Sequence, residues 1–104
     1  EGGTGDDTLD ARGSTASHVL RGDAGNDLVY GGSQADQIQG GSGNDTLAGG
    51  DGSDTISGNT GDDHLFGEDG DDLLDGGDGD DTIDGGDGDD TAIDGEVLIN
   101  CEPE

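Results

Sequence analysis

One acidic side chain recurs every nine residues through most of this chain. Asp stands at the sixth position of nine out of ten sequence units, and successive copies are nine residues apart from Asp27 onward. Carboxylates are hard oxygen ligands that suit Ca²⁺, which accepts roughly six to eight oxygens at flexible geometry. The sequence therefore predicts a row of calcium ligands, namely Asp7, Asp27, Asp36, Asp45, Asp54, Asp63, Asp72, Asp81 and Asp90.

The charge balance shows why such a chain needs a cation. The 104 residues include 28 Asp and Glu but only two Lys and Arg, so the formal net charge is −26 at pH 7. Only 24% of the chain is hydrophobic, and this combination usually leaves a chain disordered. Because Arg12 and Arg21 cannot neutralise the carboxylates, a multivalent cation is the remaining candidate. The shortage of basic residues also disfavours nucleic acid and anionic membranes as direct partners, and no apolar run predicts membrane insertion.

The Asp residues belong to a nine-residue repeat. Residues 22–93 divide into eight units without an insertion, and 2–10 is another good copy. A degenerate unit at 13–21 follows a two-residue insertion, Ala11 and Arg12. Gly fills the first position in all ten units and the fourth in eight. Each unit therefore predicts a six-residue Gly-rich turn followed by a three-residue strand.

The eighth position of the repeat predicts the core. It is aliphatic in every unit, whereas the seventh and ninth positions are mixed, as expected for strands with one face inward. Strands this short must stack to be stable. The predicted core residues are Leu9, Leu20, Val29, Ile38, Leu47, Ile56, Leu65, Leu74, Ile83 and Ala92.

The unit pattern GGxGxDxUx, with U a large aliphatic residue, resembles the RTX (repeats-in-toxin) calcium-binding nonapeptide family over residues 2–93. The resemblance implies an all-β fold, a right-handed parallel β-roll with two units per coil and about five coils. We expect the β-roll over 1–93. The segment 94–104, with its apolar run Val97 to Ile99, is expected to cap it or to begin the next part of the chain.

The resemblance also implies calcium between turns that stack eighteen residues apart, held by the sixth-position carboxylates and turn carbonyls. One edge would join Asp27, Asp45, Asp63 and Asp81, and the other Asp36, Asp54, Asp72 and Asp90. Six interior sites are then expected. A seventh, between Asp7 and Asp27, depends on whether the insertion leaves the stacking intact.

Departures from the repeat mark where calcium sites should be weak or missing. His18 replaces Asp in the degenerate unit, so no calcium site is expected between the turns that begin at 13 and 31. Gln34 and Ala35 replace the usual turn residues of the next unit and predict a weaker site there. Neither His18 nor His64 belongs to a Cys/His cluster, so zinc is not supported. The single cysteine, Cys101, cannot form a disulfide within the chain.

Two functions remain open at this point. The family resemblance implies a module that folds on calcium outside the cell after type I secretion, as part of a larger secreted or surface protein such as a toxin, protease, lipase, epimerase or adhesin. The alternative is an adhesive or polysaccharide-binding β-roll surface. No residue constellation supports an enzyme.

The chain begins inside a repeat, which suggests a piece of a longer polypeptide. Leu28, Tyr30, Ala48 and Phe66 fall on one predicted face that could contact a neighbouring domain.

Overall fold

The structure, a computed structural model, describes residues 2–93 and the backbone of 97–99. Cys101 lies outside the described residues, as does most of the expected C-terminal cap. The described residues contain no helix, and so none that could span a membrane. The eleven strands are β1 (Thr8–Asp10), β2 (Val19–Ala24), β3 (Leu28–Tyr30), β4 (Gln37–Ser42), β5 (Thr46–Ala48), β6 (Thr55–Asn59), β7 (His64–Phe66), β8 (Leu73–Asp75), β9 (Thr82–Asp84), β10 (Thr91–Ile93) and β11 (Val97–Ile99).

Successive strands alternate between two parallel sheets. The six-stranded sheet has the order β1-β3-β5-β7-β9-β11, and the five-stranded sheet has the order β10-β8-β6-β4-β2. Residues eighteen apart are register partners from β3 to β9 and from β2 to β10, for example Val29 with Leu47. Two nine-residue units therefore make one coil. The predicted parallel β-roll of about five coils is confirmed.

The eighth position supplies the core between the sheets, as predicted. Seven of these side chains, from Val29 to Ile83, are at most 1% exposed. Leu9, Leu20 and Ala92 pack against them at the ends of the row. The core therefore consists of two facing columns of aliphatic side chains, one from each sheet, and the slab is only 13 Å thick.

The insertion at Ala11 and Arg12 is absorbed without loss of stacking. Strand β1 pairs with β3 in parallel, with Leu9 opposite Val29, twenty residues apart instead of eighteen. The Ala11 N–H donates to the Tyr30 carbonyl, so the strand pairing continues into the first inserted residue. The second, Arg12, is exposed, and the insertion leaves the coil intact.

The strands are not uniformly three residues long. In β2, β4 and β6 the pairing continues into the following turn, where Asp23, Gly41 and Asn59 are register partners. After Ala92, β11 pairs with β9 so that Val97 lies opposite Thr82, only fifteen residues away. The end of the chain thus adds a strand to one sheet out of phase with the repeat. Its function as a cap remains a prediction.

The second position of each turn requires an unusual backbone. It has positive φ in most units, and in three of them the residue is not glycine: Asp23 at 73°, Asn59 at 75° and Glu68 at 71°. Asn and Asp tolerate this region better than other side chains. Glu68 is therefore the most strained of the three.

The fourth-position glycines allow the turns to stack in close contact. Gly61 has a φ of 109°, and a Cβ built on it would overlap the carbonyl oxygen of Gly43 in the preceding coil. Gly5, at the same position in the first unit, has a φ of 101° but no atom within 4 Å of its Cβ position. Both positions therefore require a positive φ, but only Gly61 also lacks space for a Cβ.

We expect Gly61→Ala to lower the free energy of unfolding by about 3 kcal/mol or more, since backbone strain and a clash with a neighbouring backbone add together. Gly5→Ala is the matched control and should cost only about 1 kcal/mol, because only the strain applies. Urea unfolding at saturating calcium, followed by circular dichroism, measures both. Equal losses would show that turn stacking does not depend on a missing Cβ.

Candidate metal centre

The structure brings the sixth-position carboxylates into two columns. Four lie in the turns that lead into the six-stranded sheet, which we call the first edge: Asp27, Asp45, Asp63 and Asp81. Four lie in the turns that lead into the five-stranded sheet, the second edge: Asp36, Asp54, Asp72 and Asp90. All eight residues are at most 3% exposed. Asp7 extends the first edge and is half-buried.

Each of these carboxylates ties its own turn to the preceding coil. The Oδ1 atom of Asp45 accepts the backbone N–H of Asp27 at 2.7 Å, and Oδ1 of Asp63 accepts that of Asp45 at 2.7 Å. The second edge repeats the bond, for example from the Asp54 N–H to Asp72 Oδ1 at 2.8 Å. These bonds form a ladder along each edge. Asp7 joins the ladder of the first edge through its N–H, which donates to Asp27 Oδ1 at 2.8 Å despite the insertion.

The second oxygen differs from the first, because in eight of the nine carboxylates it is buried with no hydrogen-bond donor from the described residues. This holds for Asp7, Asp27, Asp45, Asp54, Asp63, Asp72, Asp81 and Asp90. A buried carboxylate oxygen without a partner is strongly unfavourable. Eight such atoms at equivalent places in one fold indicate that a cation is the missing partner, and carboxylate oxygen is the donor that Ca²⁺ prefers.

The first-position glycines make room for these oxygens. A Cβ on Gly58 would stand 2.5 Å from Asp63 Oδ2, and one on Gly2 would stand 2.7 Å from Asp7 Oδ2. Neither glycine has a positive φ. The constraint on this position is therefore space for the carboxylate, which folds back over its own turn.

Burial shifts the titration of the carboxylates. The pKa values of Asp54, Asp63 and Asp72 are raised to about 7, mainly by burial and to a smaller extent by neighbouring carboxylates, against the backbone hydrogen bonds that lower them. Burial also raises the pKa of Asp45 and Asp90. The charged form is therefore disfavoured inside the ion-free fold.

A second ladder, at the fifth position, was not foreseen from the sequence. On the first edge, the Asn44 N–H donates to Asn26 Oδ1 at 2.8 Å and the Asp62 N–H to Asn44 Oδ1 at 2.9 Å. In this ladder each N–H donates to a side chain of the preceding coil, whereas in the sixth-position ladder each N–H donates to a side chain of the following coil. The available signal was the restriction of this column to Asp and Asn on the first edge: Asp6, Asn26, Asn44, Asp62 and Asp80.

The degenerate unit keeps its contact with the neighbouring coil with a histidine in place of the aspartate. His18 occupies the sixth position, and its N–H donates to Asp36 Oδ1 at 2.7 Å, so the backbone ladder continues. Its ring Nε2 lies 2.6 Å from Ser14 Oγ. Asp36 Oδ2, in turn, accepts the Gly32 N–H at 2.8 Å and so has a protein partner. The turn that contains Gln34 therefore satisfies its own carboxylate.

Side chains alone do not build a complete metal site. Among the described residues, no three His, Cys, Asp or Glu side chains come together as a cluster. His64 is exposed on β7. A cation at either edge would therefore have to take further oxygens from the backbone carbonyls of the Gly-rich turns, which is compatible with the flexible coordination of calcium.

The expected apolar face is only partly exposed. Tyr30, Ala48 and Phe66 are register neighbours on the six-stranded sheet, with Leu28 beside them on β3, but Ala48 is buried and the other three are half-buried. The exposed large hydrophobic residues lie elsewhere, on the five-stranded sheet: Val19, Leu73 and Ile93.

Comparison with known proteins identifies the repeat. A family model described as the RTX calcium-binding nonapeptide repeat matches four times, over residues 1–15, 19–47, 48–82 and 57–92. No curated protein and no solved structure matches the chain. The matches leave out residues 16–18, which include His18 of the degenerate unit.

In calcium-free solution, we expect folding to become more favourable as the pH falls below about 7. Asp54, Asp63 and Asp72 have a pKa of about 7 in the fold, whereas an unfolded Asp titrates near pH 4. Between these values the folded chain binds more protons, so its stability decreases as the pH rises. Circular dichroism of the metal-free protein between about pH 8 and pH 4 should show strand signal that increases on acidification.

The pH at the midpoint of this folding transition shows whether buried or exposed carboxylates control it. A midpoint well above pH 4 is expected if the buried column controls folding, and saturating calcium should abolish the change near neutral pH. A transition confined to about pH 4, the range of exposed carboxylates, would contradict the interpretation.

Proposed function

The chain belongs to the RTX calcium-binding nonapeptide-repeat family, and on that premise we propose that it is a structural module that folds when calcium binds between its stacked turns. The observation that carries the proposal is the set of eight buried carboxylate oxygens that have no hydrogen-bond donor among the described residues. Calcium would coordinate these oxygens and neutralise their charge at the same time. Because the sites exist only in the folded chain, the free energy of calcium binding would contribute directly to folding.

We place six ions in the interior gaps, three along each edge. The first-edge ions would use Asp27, Asp45, Asp63 and Asp81, and the second-edge ions would use Asp36, Asp54, Asp72 and Asp90. The gap between Asp36 and Asp54 is expected to be the weakest of the six, because Asp36 Oδ2 already accepts the Gly32 N–H. The ladder bond from Asp7 to Asp27 supports a seventh ion at the first edge.

The expected stabilisation by calcium is large enough to make folding depend on the calcium concentration. If each site has a dissociation constant near 10⁻⁴ M, as in extracellular calcium modules, then about 1 mM calcium stabilises the fold by roughly 1.4 kcal/mol per site. Several sites acting together would decide between a charged, unfolded chain and the β-roll.

The same dependence supports a role outside the cell. We propose that the module stays unfolded at low cytosolic calcium, is exported by a type I system as part of a larger polypeptide, and folds at extracellular calcium. Catalysis, if the parent protein has any, would then lie in another part of it. Leu28, Tyr30 and Phe66, half-buried on the six-stranded sheet, would face a neighbouring domain of that parent.

The carboxylate assignment is tested by two neighbouring substitutions on the first edge. Asp63→Asn removes a buried charge that two sites share, and we expect it to raise the calcium concentration at the folding midpoint at least about tenfold. Asp62→Asn is the matched control, because Asp62 is exposed and its ladder already contains Asn26 and Asn44. Its midpoint should stay within about twofold. Calcium titration followed by circular dichroism measures both, and calorimetry counts the ions.

Two results would contradict this function. Full strand signal at neutral pH in calcium-free solution would show that the fold does not require the ion. Equal shifts for Asp62→Asn and Asp63→Asn would show that net charge, rather than the buried column, controls calcium binding.

A further inference from the structure

Two cavities border Glu68 where the outer face of the six-stranded sheet meets the turns of the second edge. The first has a volume of about 230 Å³, and the second, which lies beside Phe66, has a volume of about 200 Å³. Both are smaller than the roughly 300–1,000 Å³ of pockets that enclose a drug-sized ligand. Each cavity therefore suits one small unit, and the two together, which we call the groove, suit a short chain of such units.

The first cavity combines apolar and polar lining groups that come from different elements. Tyr30 and Ala48 line it from strands β3 and β5. The polar lining groups come from the insertion and from the second-edge turns: Arg12, Ser33, Asp51 and Glu68. A ligand that fills this cavity must therefore offer C–H groups to the strands and hydrogen-bonding groups to the turns.

The charged groups of the first cavity indicate a neutral ligand. Asp51 and Glu68 would repel a carboxylate or a phosphate, and the net charge of −26 adds to this repulsion. The chain already supplies a cation of its own: partial burial, Asp51 and Asp69 raise the pKa of Glu68, whereas Arg12 lowers it. Neither an anionic nor a cationic ligand is therefore favoured.

The same side chains can both donate hydrogen bonds and accept them. Arg12 uses Nε and Nη2 on the two oxygens of Asp10, and three of its five N–H groups are not used by this ion pair. Asp51 and Glu68 are exposed carboxylates that accept hydrogen bonds from hydroxyl groups. A sugar hydroxyl both donates and accepts, so it matches a guanidinium and a carboxylate at the same time.

The backbone of Glu68 supports a role for its side chain. Six of the ten units have Gly at this second position, whereas Glu68 has a φ of 71°. Glutamate is strained in this conformation, and strained residues are concentrated at binding and catalytic sites. Glycine would relieve the strain but would remove the one side chain that lines both cavities.

We propose that the groove binds a short neutral oligosaccharide, with one pyranose unit in each cavity. The C–H groups of the first sugar would pack against Tyr30 and Ala48, and its hydroxyls would bond to Arg12, Asp51 and Glu68. The second sugar would lie beside Phe66. Tyr30, Ala48 and Phe66 are register neighbours, so Tyr30 and Phe66 are about 10 Å apart along the sheet, a distance that two linked pyranose rings cover.

This binding and the docking of a neighbouring domain would exclude each other. A domain placed on Tyr30 and Phe66 would cover the groove. An oligosaccharide would therefore bind only to copies whose outer face on the six-stranded sheet is open.

The test follows ring resonances of the full chain by NMR at saturating calcium. The chain contains one Tyr and one Phe, so Tyr30 reports on the first cavity and Phe66 on the second without ambiguity. The ligands are the methyl pyranosides of glucose, galactose and mannose. We expect at least one of them to shift the Tyr30 resonances saturably, with a dissociation constant on the order of 10 mM.

Two related ligands test the length and the charge of the preferred sugar. Its 1,4-linked disaccharide should also shift the Phe66 resonances and should bind at least about threefold more tightly. Its uronide, which has the same ring with a carboxylate, should bind at least about threefold more weakly, because Asp51 and Glu68 repel it. Neither comparison requires a variant, so neither depends on the folding of a mutant.

Glu68→Gly and Asn59→Gly separate a binding role from a structural one. Asn59 has the same position in its unit and a φ of 75°, but it does not line the groove. Glu68→Gly should weaken sugar binding at least about fivefold without raising the calcium concentration at the folding midpoint. Asn59→Gly should leave the sugar affinity unchanged. A purely structural role for Glu68 would instead raise the calcium midpoint and leave the affinity of the folded chain unchanged.

Asp51→Ala and Asp87→Ala form a second matched pair. Both residues are exposed at the third position of a second-edge turn, and only Asp51 lines the groove. Ala24 occupies the third position of another unit, so the fold accepts alanine there. Asp51→Ala should weaken binding at least about fivefold, and Asp87→Ala should have no effect. Circular dichroism at saturating calcium verifies that all four variants fold.

Three results would overturn the proposal. They are an unshifted Tyr30 with all three pyranosides, a uronide that binds as tightly as the neutral sugar, and equal effects of a groove substitution and its matched control. A disaccharide that leaves Phe66 unshifted would contradict the assignment of the second cavity.

Discussion

Burial of a carboxylate in nearly every turn is the constraint on which the rest of this structure depends. Along both edges the sixth-position side chain bonds to the preceding coil through Oδ1, and every such carboxylate except Asp36 has an Oδ2 without a donor among the described residues. Burial raises the pKa of Asp54, Asp63 and Asp72 to about 7, so the ion-free fold carries a free-energy cost at neutral pH. Two facing columns of aliphatic side chains offer little to offset it. A cation that satisfied these oxygens would thus be tied to folding itself.

Four positions of the nine-residue unit allow this carboxylate to be buried between stacked turns. The first glycine leaves space for the carboxylate over its Cα, and the fourth lets successive turns approach backbone to backbone. The fifth- and sixth-position ladders run in opposite directions, and each of them hydrogen-bonds a first-edge turn to both of its neighbours. Each coil depends on adjacent coils, which is the nearest-neighbour coupling expected of a solenoid.

The N-terminal coil achieves the same stacking with other chemistry. His18 keeps the backbone ladder while its ring contacts Ser14, and Asp36 turns its second oxygen to the Gly32 N–H. The insertion places Arg12 on Asp10 and Tyr30 at the surface. A histidine at the sixth position and an internal cation thus appear together at the end of the roll where the repeat is least regular.

The sequence by itself determined the period, the aliphatic core column and the Asp column, because these are local regularities that stacking must respect. With the family resemblance, it also gave the parallel coil of two units. Tertiary structure alone decided which atoms of the carboxylates lack a donor and why Gly58 needs space rather than positive φ. It also revealed the ladder through Asn44 and Asp62 and brought Arg12 onto Tyr30. These features join residues about eighteen positions apart, or depend on how an insertion is absorbed, and so appear only when the coils are stacked.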